Sequence, residues 1–502
     1  MAVFKSQTIS LIGLVGELIT VEVDISDGLP NFTLLGLPDT ALNESKERVR
    51  TAITNSNLKW VNRKTTVSLS PAWLPKSGSG FDLAIAIALL GAQGNLNGVD
   101  LNSTIFIGEL GLEGTVKKTK GVLAALVSAR KFGITRAIIP SENFSETRLI
   151  SGIEVIATNS LLEVMDYLIN GVLPQIEFLE NHSLATHKDM SEVMGQENAR
   201  KLIEIAAIGG HNILLIGPPG TGKTMLAERI PTILPELKID EALEVAAIHS
   251  IAGVTERSLN MINLPPFVAP HHTATAVAMI GGGSSGIKPG AISLAHHGVL
   301  FIDEAPECGS GVLDSLRQPL ESGAITISRA NGNLTFPAKF ILVLAANPCP
   351  CGKFAGKGLG CTCSSVQVRR YLNKLSGPLL DRIDLRVSVE NVSRVELAQE
   401  KNESSESIRN RVVEARAVAA HRFKNESWRL NSEIPPRALR QQYQPDRQAM
   451  NFLHDELDKE RITARGLHKI IRTSWTIADL KGISRPTIDE VTESYRLREG
   501  IE

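Results

Sequence analysis

One stretch of the chain has the residue types and spacing of a phosphate-binding loop. The apolar run at 212–216 leads into GPPGTGKT and then into a helical pattern, the strand–loop–helix context that the GxxxxGK(S/T) motif requires. The glycines let backbone N–H groups turn inward around a polyphosphate at a helix N-terminus. Lys223 is then expected to reach the β- and γ-phosphates, and the Thr224 hydroxyl to ligate Mg²⁺. The predicted nucleotide-binding residues are Gly217, Pro218, Pro219, Gly220, Thr221, Gly222, Lys223 and Thr224.

Three more polar residues follow buried-strand patterns and suit the same chemistry. Asp303 and Glu304 end the run VLFIDE, where Asp303 suits a Mg²⁺ ligand and Glu304 a base that polarises the attacking water. Asn347 follows the run at 340–345 and suits the orientation of that water beside the γ-phosphate. Each pattern is weak alone, but together with a phosphate loop they predict ATP hydrolysis.

Two arginines could add positive charge to that site. Arg382 stands at a helix end just before a strand in GPLLDRIDLRVSV, where it suits an arginine finger on the nucleotide of a neighbouring subunit. A salt bridge within DRID is the alternative. Arg465 begins a helix in ITARGLHKIIR, where it suits a residue that senses the nucleotide from a helical lid.

Four of the five cysteines form two close pairs separated by nine residues. They are Cys349, Cys351, Cys361 and Cys363. Four thiolates at close range suit a tetrahedral structural zinc site. The C-x-C spacing is tighter than the common C-x₂₋₄-C, so a chance cluster and a redox-sensitive pair remain open. Cys308 is expected to be an ordinary semi-buried thiol, and the pairs His271-His272 and His296-His297 are assigned no metal.

Composition describes an ordinary globular protein of several domains. The 502 residues carry a net charge of −1, so any nucleic-acid surface has to be a local patch. No apolar run approaches the roughly 18 residues of a membrane span, and the N-terminal residues do not form a signal peptide. A reducing, cytoplasmic compartment with no membrane partner is therefore expected, where clustered cysteines more often bind metal than form disulfides.

The element patterns predict an α/β multidomain chain. Residues 1–170 alternate strand and helix patterns and form an α+β domain, and a polar linker follows at 171–190. Residues 191–392 form a P-loop α/β domain with a parallel sheet, which includes the cysteine loop at 347–365. Residues 393–502 form a helical lid.

These motifs, in this order, resemble the AAA+ ATPases and, more narrowly, the YifB/ComM family of the magnesium-chelatase-like group. The matching strings are PFVAPHHTATAVAMIGGG, PGAISLAHHGVLFIDEAPE, LRQPLESGAITISRA, AANPCPCG and GPLLDRIDL. The resemblance implies that Gln196 lies near the adenine and that Asn347 is the first sensor. It further implies that Arg382 is the arginine finger and Arg465 the second sensor. A homo-oligomeric ring, expected to be a hexamer, follows from a finger that acts on a neighbour.

The chain departs from the family's pattern between the two ATP motifs. Pro265 and Val268 stand where the family carries arginines around a Pro-Phe pair, and Ala291 stands where PGE would place a carboxylate. ATP chemistry is expected to survive these changes. They call into question the hold of this insert on a polymer or partner.

The N-terminal domain resembles the Lon-type, S5-like proteolytic domain through IGELGLEGTVKKTKGVLAALVSARKFGITRAIIP. Protease chemistry there needs a serine activated by a lysine. Alignment puts Gly80 at the nucleophile position and Leu123 at the base position, so both groups are missing. A shift of register would bring in other candidates, namely Ser77, Ser79, Lys118 and Lys120. The preferred interpretation is a fold retained without proteolysis, for assembly or substrate guidance.

Two segments are candidates for contact with the motor's substrate. AITISRANGNLTFPA predicts a β-hairpin with its turn at Asn-Gly and Arg329 near the tip, and GGGSSGIKPG predicts a flexible loop carrying Lys288. Positive side chains there suit a polyanion held through its phosphates without base specificity, and solvated surface turns are the alternative. The resemblance implies DNA, and helicases that migrate branched junctions in recombination and DNA uptake. A chelatase subunit, for whose partner domain no DxSxS signature occurs, and a protein-remodelling machine are the rivals.

Overall fold

The structure is a computed structural model. It describes residues 3–37, 39–74, 76, 78–175, 188–254, 263–283, 287–329, 332–354, 360–392 and 402–500. Residues 176–187 of the predicted linker and Ser77 lie outside the described residues, as does the side chain of Arg329.

An α+β unit forms from the N-terminal third of the chain. A four-stranded sheet has the order Phe4–Ile12, Val15–Ser26, Lys64–Ser70, Asn31–Leu35, with only the last pair parallel. A parallel sheet has the order Thr104–Phe106, Arg136–Pro140, Glu154–Thr158, and Glu109–Leu110 pairs with Val116–Lys117. The helices are Thr40–Asn43, Ser45–Asn55, Asp82–Ala92, Val122–Lys131 and Leu161–Asn170, with 3₁₀ turns at Ser79–Phe81 and Ser141–Leu149. The largest core lies between the first sheet and the apolar helix Asp82–Ala92.

The central unit is built on a five-stranded parallel sheet. Its strand order is Phe267–Val268, Gly298–Ile302, Phe340–Ala346, Ile213–Ile216, Leu385–Ser388. The helices around it are Glu197–Gly209, Lys223–Ile233, Ile239–Ala252, Ala276–Ile280, Ala291–Leu294, Ser310–Ser315, Arg317–Ser322, Ser365–Leu372 and Gly377–Leu380. Short 3₁₀ turns lie at Met190–Glu192 and Ala305–Glu307. The predicted parallel α/β domain is confirmed.

Both faces of this sheet are buried, which explains why its strands read as unbroken apolar runs. Ile213 and Leu215 enter one core with the helices Glu197–Gly209 and Lys223–Ile233. Leu214, one residue out of phase, enters a second core on the opposite face. The sheet is therefore a rigid platform with its polar residues at the strand ends.

The C-terminal unit is helical, as expected. Its helices are Ser405–Arg422, Pro436–Gln441, Arg447–Asp458, Ala464–Lys481 and Ile488–Glu499, with a 3₁₀ turn at Asn431–Glu433. They share a core of their own around Trp475. Ile408 and Val412 of the first helix also enter a core of the central sheet, so the helical unit packs directly on the α/β unit.

Two local predictions need correction. The hairpin is present, but Ala324–Arg329 pairs with Gly332–Pro337 so that Arg329 faces Gly332, which lies in the second strand and not in the predicted turn. Buried Ile325, Ile327 and Phe336 set this register, since a slip of one residue would expose them. Lys288, expected in a flexible loop, lies in a short strand, Lys288–Pro289, paired with Gly281–Gly282. No Cβ would fit at Gly281 or Gly290, because the paired backbones approach too closely.

Within the described ranges, every helix is too short or too polar to cross a membrane.

Candidate nucleotide site

The phosphate loop, Asp303 and Asn347 meet at one edge of the central sheet. The strands Ile213–Ile216, Gly298–Ile302 and Phe340–Ala346 are parallel neighbours, so the residues that follow their carboxyl ends lie side by side. Ligands of open α/β sheets bind at this edge. The helix Lys223–Ile233 begins at the loop and points its N-terminus into the same space.

Lys223 connects the loop to the neighbouring strand. Its Nζ donates to the carbonyl oxygens of Gly217 and Pro218 at 2.6 and 2.8 Å and to Asn347 Oδ1 at 3.3 Å. Burial lowers the pKa of Lys223, and the carboxylates of Asp303 and Glu304 oppose that shift. An ammonium group held among a loop backbone, a carboxamide and two carboxylates is suited to bind phosphate oxygens.

The residues at this edge fit ATP with Mg²⁺. Thr224 Oγ1 donates to Asp303 Oδ2 at 2.9 Å, so the two oxygens expected to hold the cation are already adjacent. Gly220 and Gly222 have φ of +80° and +90°, and a Cβ built at either meets nothing within 4 Å. The backbone of the loop is therefore open where phosphate oxygens would approach.

Glu304 lies beside a histidine whose role sequence reasoning missed. Its backbone has a left-handed φ of 48°, and its N–H donates to Asp303 Oδ1 at 2.9 Å. His272 Nδ1 is 3.5 Å from Glu304 Oε2, while the adjacent His271 binds Thr273 instead. The signal in the sequence was the His-His pair just after a short strand of the same sheet, a pair that was assigned no metal.

Gln196 contacts the phosphate loop through Thr221. It begins the helix Glu197–Gly209 with φ of 57°, and its Nε2 donates to the carbonyl oxygens of Thr221 and Glu390. Its carboxamide thus joins the loop to the segment after the last strand. This position is compatible with the adenine-side role that the resemblance implies.

Arg382 and Arg465 lie away from the loop of their own chain. Arg382 precedes the strand Leu385–Ser388, whereas the loop follows the parallel strand Ile213–Ile216, so roughly 13 Å of strand separates them. Arg382 pairs with Glu321, not with an aspartate of DRID as the alternative supposed. Arg465 Nη1 lies 3.3 Å from Asp381, beside Arg382. Both arginines therefore lie at the sheet edge opposite the phosphate loop.

The cysteine loop follows Asn347 directly. The sulfur atoms of Cys349, Cys351, Cys361 and Cys363 all lie within 4.8 Å of one another. All four are free thiols. The four thiols therefore converge, and the separate Cys308 is buried in the second core of the central sheet.

A second convergent group, Glu244 with His296 and His297, is explained without a metal. Both imidazole Nε2 atoms lie close to Glu244 Oε2, at 3.0 and 3.2 Å, and the pKa of Glu244 is lowered by these hydrogen bonds. His296 Nδ1 accepts the backbone N–H of Lys339 at 3.0 Å. Its Nε2 therefore carries the hydrogen, and no lone pair is left for a cation.

The N-terminal unit places its candidate protease residues in other contacts. Ser79 Oγ donates to Glu109, and Lys120 contacts Lys288 of the central unit. Leu123, at the base position, is fully buried. Among the described residues, then, Ser79 is not paired with a lysine.

Comparisons with known proteins agree with the site. Three family models match: "Magnesium chelatase, subunit ChlI" over residues 189–397, "Subunit ChlI of Mg-chelatase" over 21–143, and "Magnesium chelatase, subunit ChlI C-terminal" over 402–498. An uncharacterised protein of Mycobacterium tuberculosis is 42% identical over 501 residues, covering 99% of both chains.

Two relatives have family names. "Competence protein ComM" of Haemophilus influenzae is 40% identical over 481 residues, covering 94% of this chain and 92% of that protein. "Uncharacterized protein YifB" of Escherichia coli is 40% identical over 495 residues, covering 97% and 96%. With a phosphate loop, an acidic pair and an asparagine at one sheet edge, this chain belongs to the YifB/ComM family of magnesium-chelatase-like AAA+ ATPases.

Proposed function

We propose that the chain is an ATP-hydrolysing ring motor that moves DNA without sequence preference, as a helicase or branch-migration enzyme in recombination or DNA uptake. Water attacks the γ-phosphorus, Glu304 accepts its proton, and the bond to the β-phosphate oxygen breaks to release ADP and phosphate. Lys223 and the loop backbone hold the phosphates, and Asn347 orients the water. Mg²⁺ held by Thr224 and Asp303 neutralises phosphate charge when bound.

The position of Arg382 supports a ring. An arginine finger on the chain's own nucleotide would need to cross the length of a strand, since Arg382 and the loop are at opposite sheet edges. A neighbouring subunit in a head-to-tail arrangement brings one edge against the other. Arg465, held beside Arg382 by Asp381, is then a sensor of the neighbour's nucleotide.

DNA as the substrate rests on one observation, the contact between Lys120 and Lys288. Lys120 belongs to the N-terminal unit and Lys288 to the insert of the central unit, and both are exposed. The charge of Lys288 lowers the pKa of Lys120, so the two ammonium groups repel each other. A polyanion across both lysines relieves that repulsion and joins the two units through phosphate contacts. The name of the Haemophilus relative, a competence protein, is in keeping with this substrate.

Branch migration of a synthetic four-way DNA junction tests the proposal. The wild-type protein with ATP and Mg²⁺ is expected to convert the junction into two duplexes by branch migration, and Lys223→Ala is expected to be inactive. Lys120→Ala and Lys288→Ala should weaken junction binding and each reduce the slope of log affinity against log salt by about one. Lys131→Ala is the matched control, because Lys131 is an exposed lysine at the far end of the helix Val122–Lys131, which begins just after Lys120. A protein that hydrolyses ATP but binds no DNA excludes this function.

A chelatase-type activity is the second candidate, because all three family models carry magnesium chelatase descriptions. Such a motor would drive a partner protein that inserts a metal into a tetrapyrrole. Its ATP hydrolysis would respond to that partner and not to DNA. Measuring ATPase stimulation by junction DNA therefore separates the two functions.

A further inference from the structure

The four clustered cysteines have the spacing of ligands around one metal ion. Cys349 Sγ is 3.3 Å from Cys351 Sγ and 3.6 Å from Cys361 Sγ, and the last two sulfur atoms are 3.7 Å apart. Thiolates bound to one tetrahedral Zn²⁺ at about 2.3 Å lie roughly 3.8 Å from each other. Cys363 completes the set within 4.8 Å. We propose that these residues bind one structural Zn²⁺ and that this zinc braces the nucleotide site.

The donor set selects zinc and a structural role. Four sulfur ligands with tetrahedral spacing suit Zn²⁺, and a closed four-ligand site leaves no position for a substrate. Cys349 is fully buried and the other three thiols are half-buried. The metal would therefore lie at the surface of the central unit, with one ligand anchored in its core.

Both ends of the cysteine loop lead to the sensor asparagine. Cys349 comes two residues after Asn347, which itself follows the strand Phe340–Ala346. After Cys363 the chain enters the helix Ser365–Leu372, which begins with a capping box. Tyr371 of that helix returns to Asn347, whose backbone N–H donates to its hydroxyl. A metal that joins the two cysteine pairs thus closes the loop around Asn347.

The cysteine loop also packs against the phosphate loop. Gly352 lies between the cysteine pairs with φ of +73°, and its N–H donates to the Cys349 carbonyl at 2.9 Å. A Cβ at Gly352 would lie 2.6 and 2.7 Å from Cδ and Cγ of Pro219. The turn inside the cluster is therefore in close contact with the loop that holds the phosphates, without room for a methyl group.

Zinc occupancy consequently controls two groups of the nucleotide site. With zinc bound, the turn at Gly352 supports Pro219, and Asn347 stays within reach of Lys223. Without zinc, the cross-link between the two cysteine pairs is lost. The contact with Pro219 and the position of Asn347 then loosen together. This inference rests on the nucleotide site of the proposed function but not on DNA as the substrate.

Metal content is the first test. Protein purified without chelators is expected to contain one zinc per chain by inductively coupled plasma mass spectrometry. Cys349→Ser and Cys361→Ser should lose it, and Cys308→Ser, the buried cysteine outside the cluster, should keep it. Less than half an equivalent of zinc, or iron in its place, overturns the proposal.

Nucleotide binding is the second test and needs no DNA. Gly352→Ala should keep its zinc but bind a fluorescent ADP about tenfold more weakly, because the added methyl displaces Pro219. Gly360→Ala is the matched control, since a Cβ there makes only ordinary contacts at 3.9 Å. Wild-type protein stripped of zinc by a chelator should show the same loss and recover it when zinc is returned.

Wild-type protein stripped of zinc also tests the proposal if the cysteine variants fail to fold. If it stays folded by circular dichroism and binds ADP as tightly as the zinc form, the brace does not exist. Equal ADP affinity of Gly352→Ala and Gly360→Ala would refute the contact with Pro219. Failure of branch migration alone would leave both results unaffected and would count only against the DNA substrate.

Discussion

At the scale of single residues, backbone and side-chain contacts together orient Glu304, the proposed base. Glu304 is forced to a left-handed φ by the turn after a fully buried strand, and its carboxylate lies near His272. A residue other than glycine adopts such a φ at a small cost in free energy. The conformation persists where function requires that orientation of the side chain. His272 is therefore a positioning residue for Glu304.

This contact predicts the effect of removing the imidazole. His272→Ala should lower kcat of ATP hydrolysis about tenfold and leave KM unchanged, since the base loses its orientation while the phosphate contacts remain. Steady-state ATPase kinetics measure both constants. His271→Ala is the control because its ring binds Thr273, not Glu304. Equal kinetics for the two variants would contradict the role given to His272.

A second residue-scale prediction concerns His211, which is fully buried beside Asp384 and Thr476. Burial lowers its pKa to about 4, against about 6.5 in an unfolded chain. Above pH 6.5 the His211 imidazole is neutral in both the folded and the unfolded chain. As pH falls from 6.5 to 4, only the unfolded chain gains the proton, so roughly 3 kcal/mol of stability is lost in that window.

His211→Gln should remove this part of the pH dependence. Urea unfolding at pH 7.5, 6 and 5 measures it as the change in unfolding free energy, with His421→Gln, an exposed histidine, as the control. The His211→Gln profile should be flatter than that of the parent and of the control. Parallel profiles for all three proteins would show that His211 does not contribute.

At the scale of elements, the segment that carries Arg382 is held by the C-terminal helices. Lys469 Nζ donates to the Arg382 carbonyl at 2.9 Å and to Asp384 Oδ1 at 2.5 Å. Arg498 donates to the carbonyl of Ile383 at 2.7 Å. Burial opposes ionisation of Asp384, but the attraction of Lys469 and smaller favourable contacts together outweigh it and lower the pKa of Asp384. The helical unit thus positions the segment that carries Arg382, the proposed arginine finger.

Breaking this buried pair should be costly. Asp384→Ala leaves the Lys469 ammonium without its carboxylate and is expected to destabilise the protein by about 3–5 kcal/mol. Asp27→Ala removes a pair with the exposed Arg63 and should cost about 1 kcal/mol or less. Urea unfolding monitored by circular dichroism compares the two. Similar losses for both variants would refute the special role of the Asp384–Lys469 pair.

The success of sequence reasoning differed between elements for physical reasons. The strands of the central sheet were predictable because both their faces are buried, so they read as apolar runs that end in polar residues. The first strand, Phe4–Ile12, gave no such signal, since its inward residues Ser6, Thr8 and Ser10 are buried but polar. Ser6 Oγ satisfies its hydrogen bond with the Ala84 carbonyl at 2.8 Å, which composition cannot reveal.

Contacts between distant parts of the chain were also beyond the sequence. The cysteine spacing suited a shared metal site, but nothing in that spacing placed Gly352 against Pro219. Similarly, the alternative for Arg382 was a salt bridge within DRID, whereas Arg382 pairs with Glu321 from a separate helix. Both contacts depend on how loops at the ends of strands are arranged in three dimensions.

At the scale of the whole molecule, the N-terminal unit contacts the central unit at two places. The Gly121 N–H donates to the Ser250 carbonyl at 3.1 Å, next to the Lys120–Lys288 contact. Gly13, in the turn of the first hairpin, lies against Leu334 of the central hairpin. An assembly or substrate-guiding role is consistent with these contacts, since any shift of either segment with nucleotide state would reach the N-terminal unit.

The proposed ring yields the strongest prediction for the whole molecule. Lys223→Ala removes phosphate binding but leaves Arg382, and Arg382→Ala does the reverse, so each protein alone should be nearly inactive. In rings assembled from equal amounts of both, about a quarter of the interfaces combine an intact phosphate loop with an intact neighbouring arginine. ATPase activity should therefore return on mixing. If Arg382 acted within its own chain, no interface would be restored, and the mixture would stay as inactive as its components.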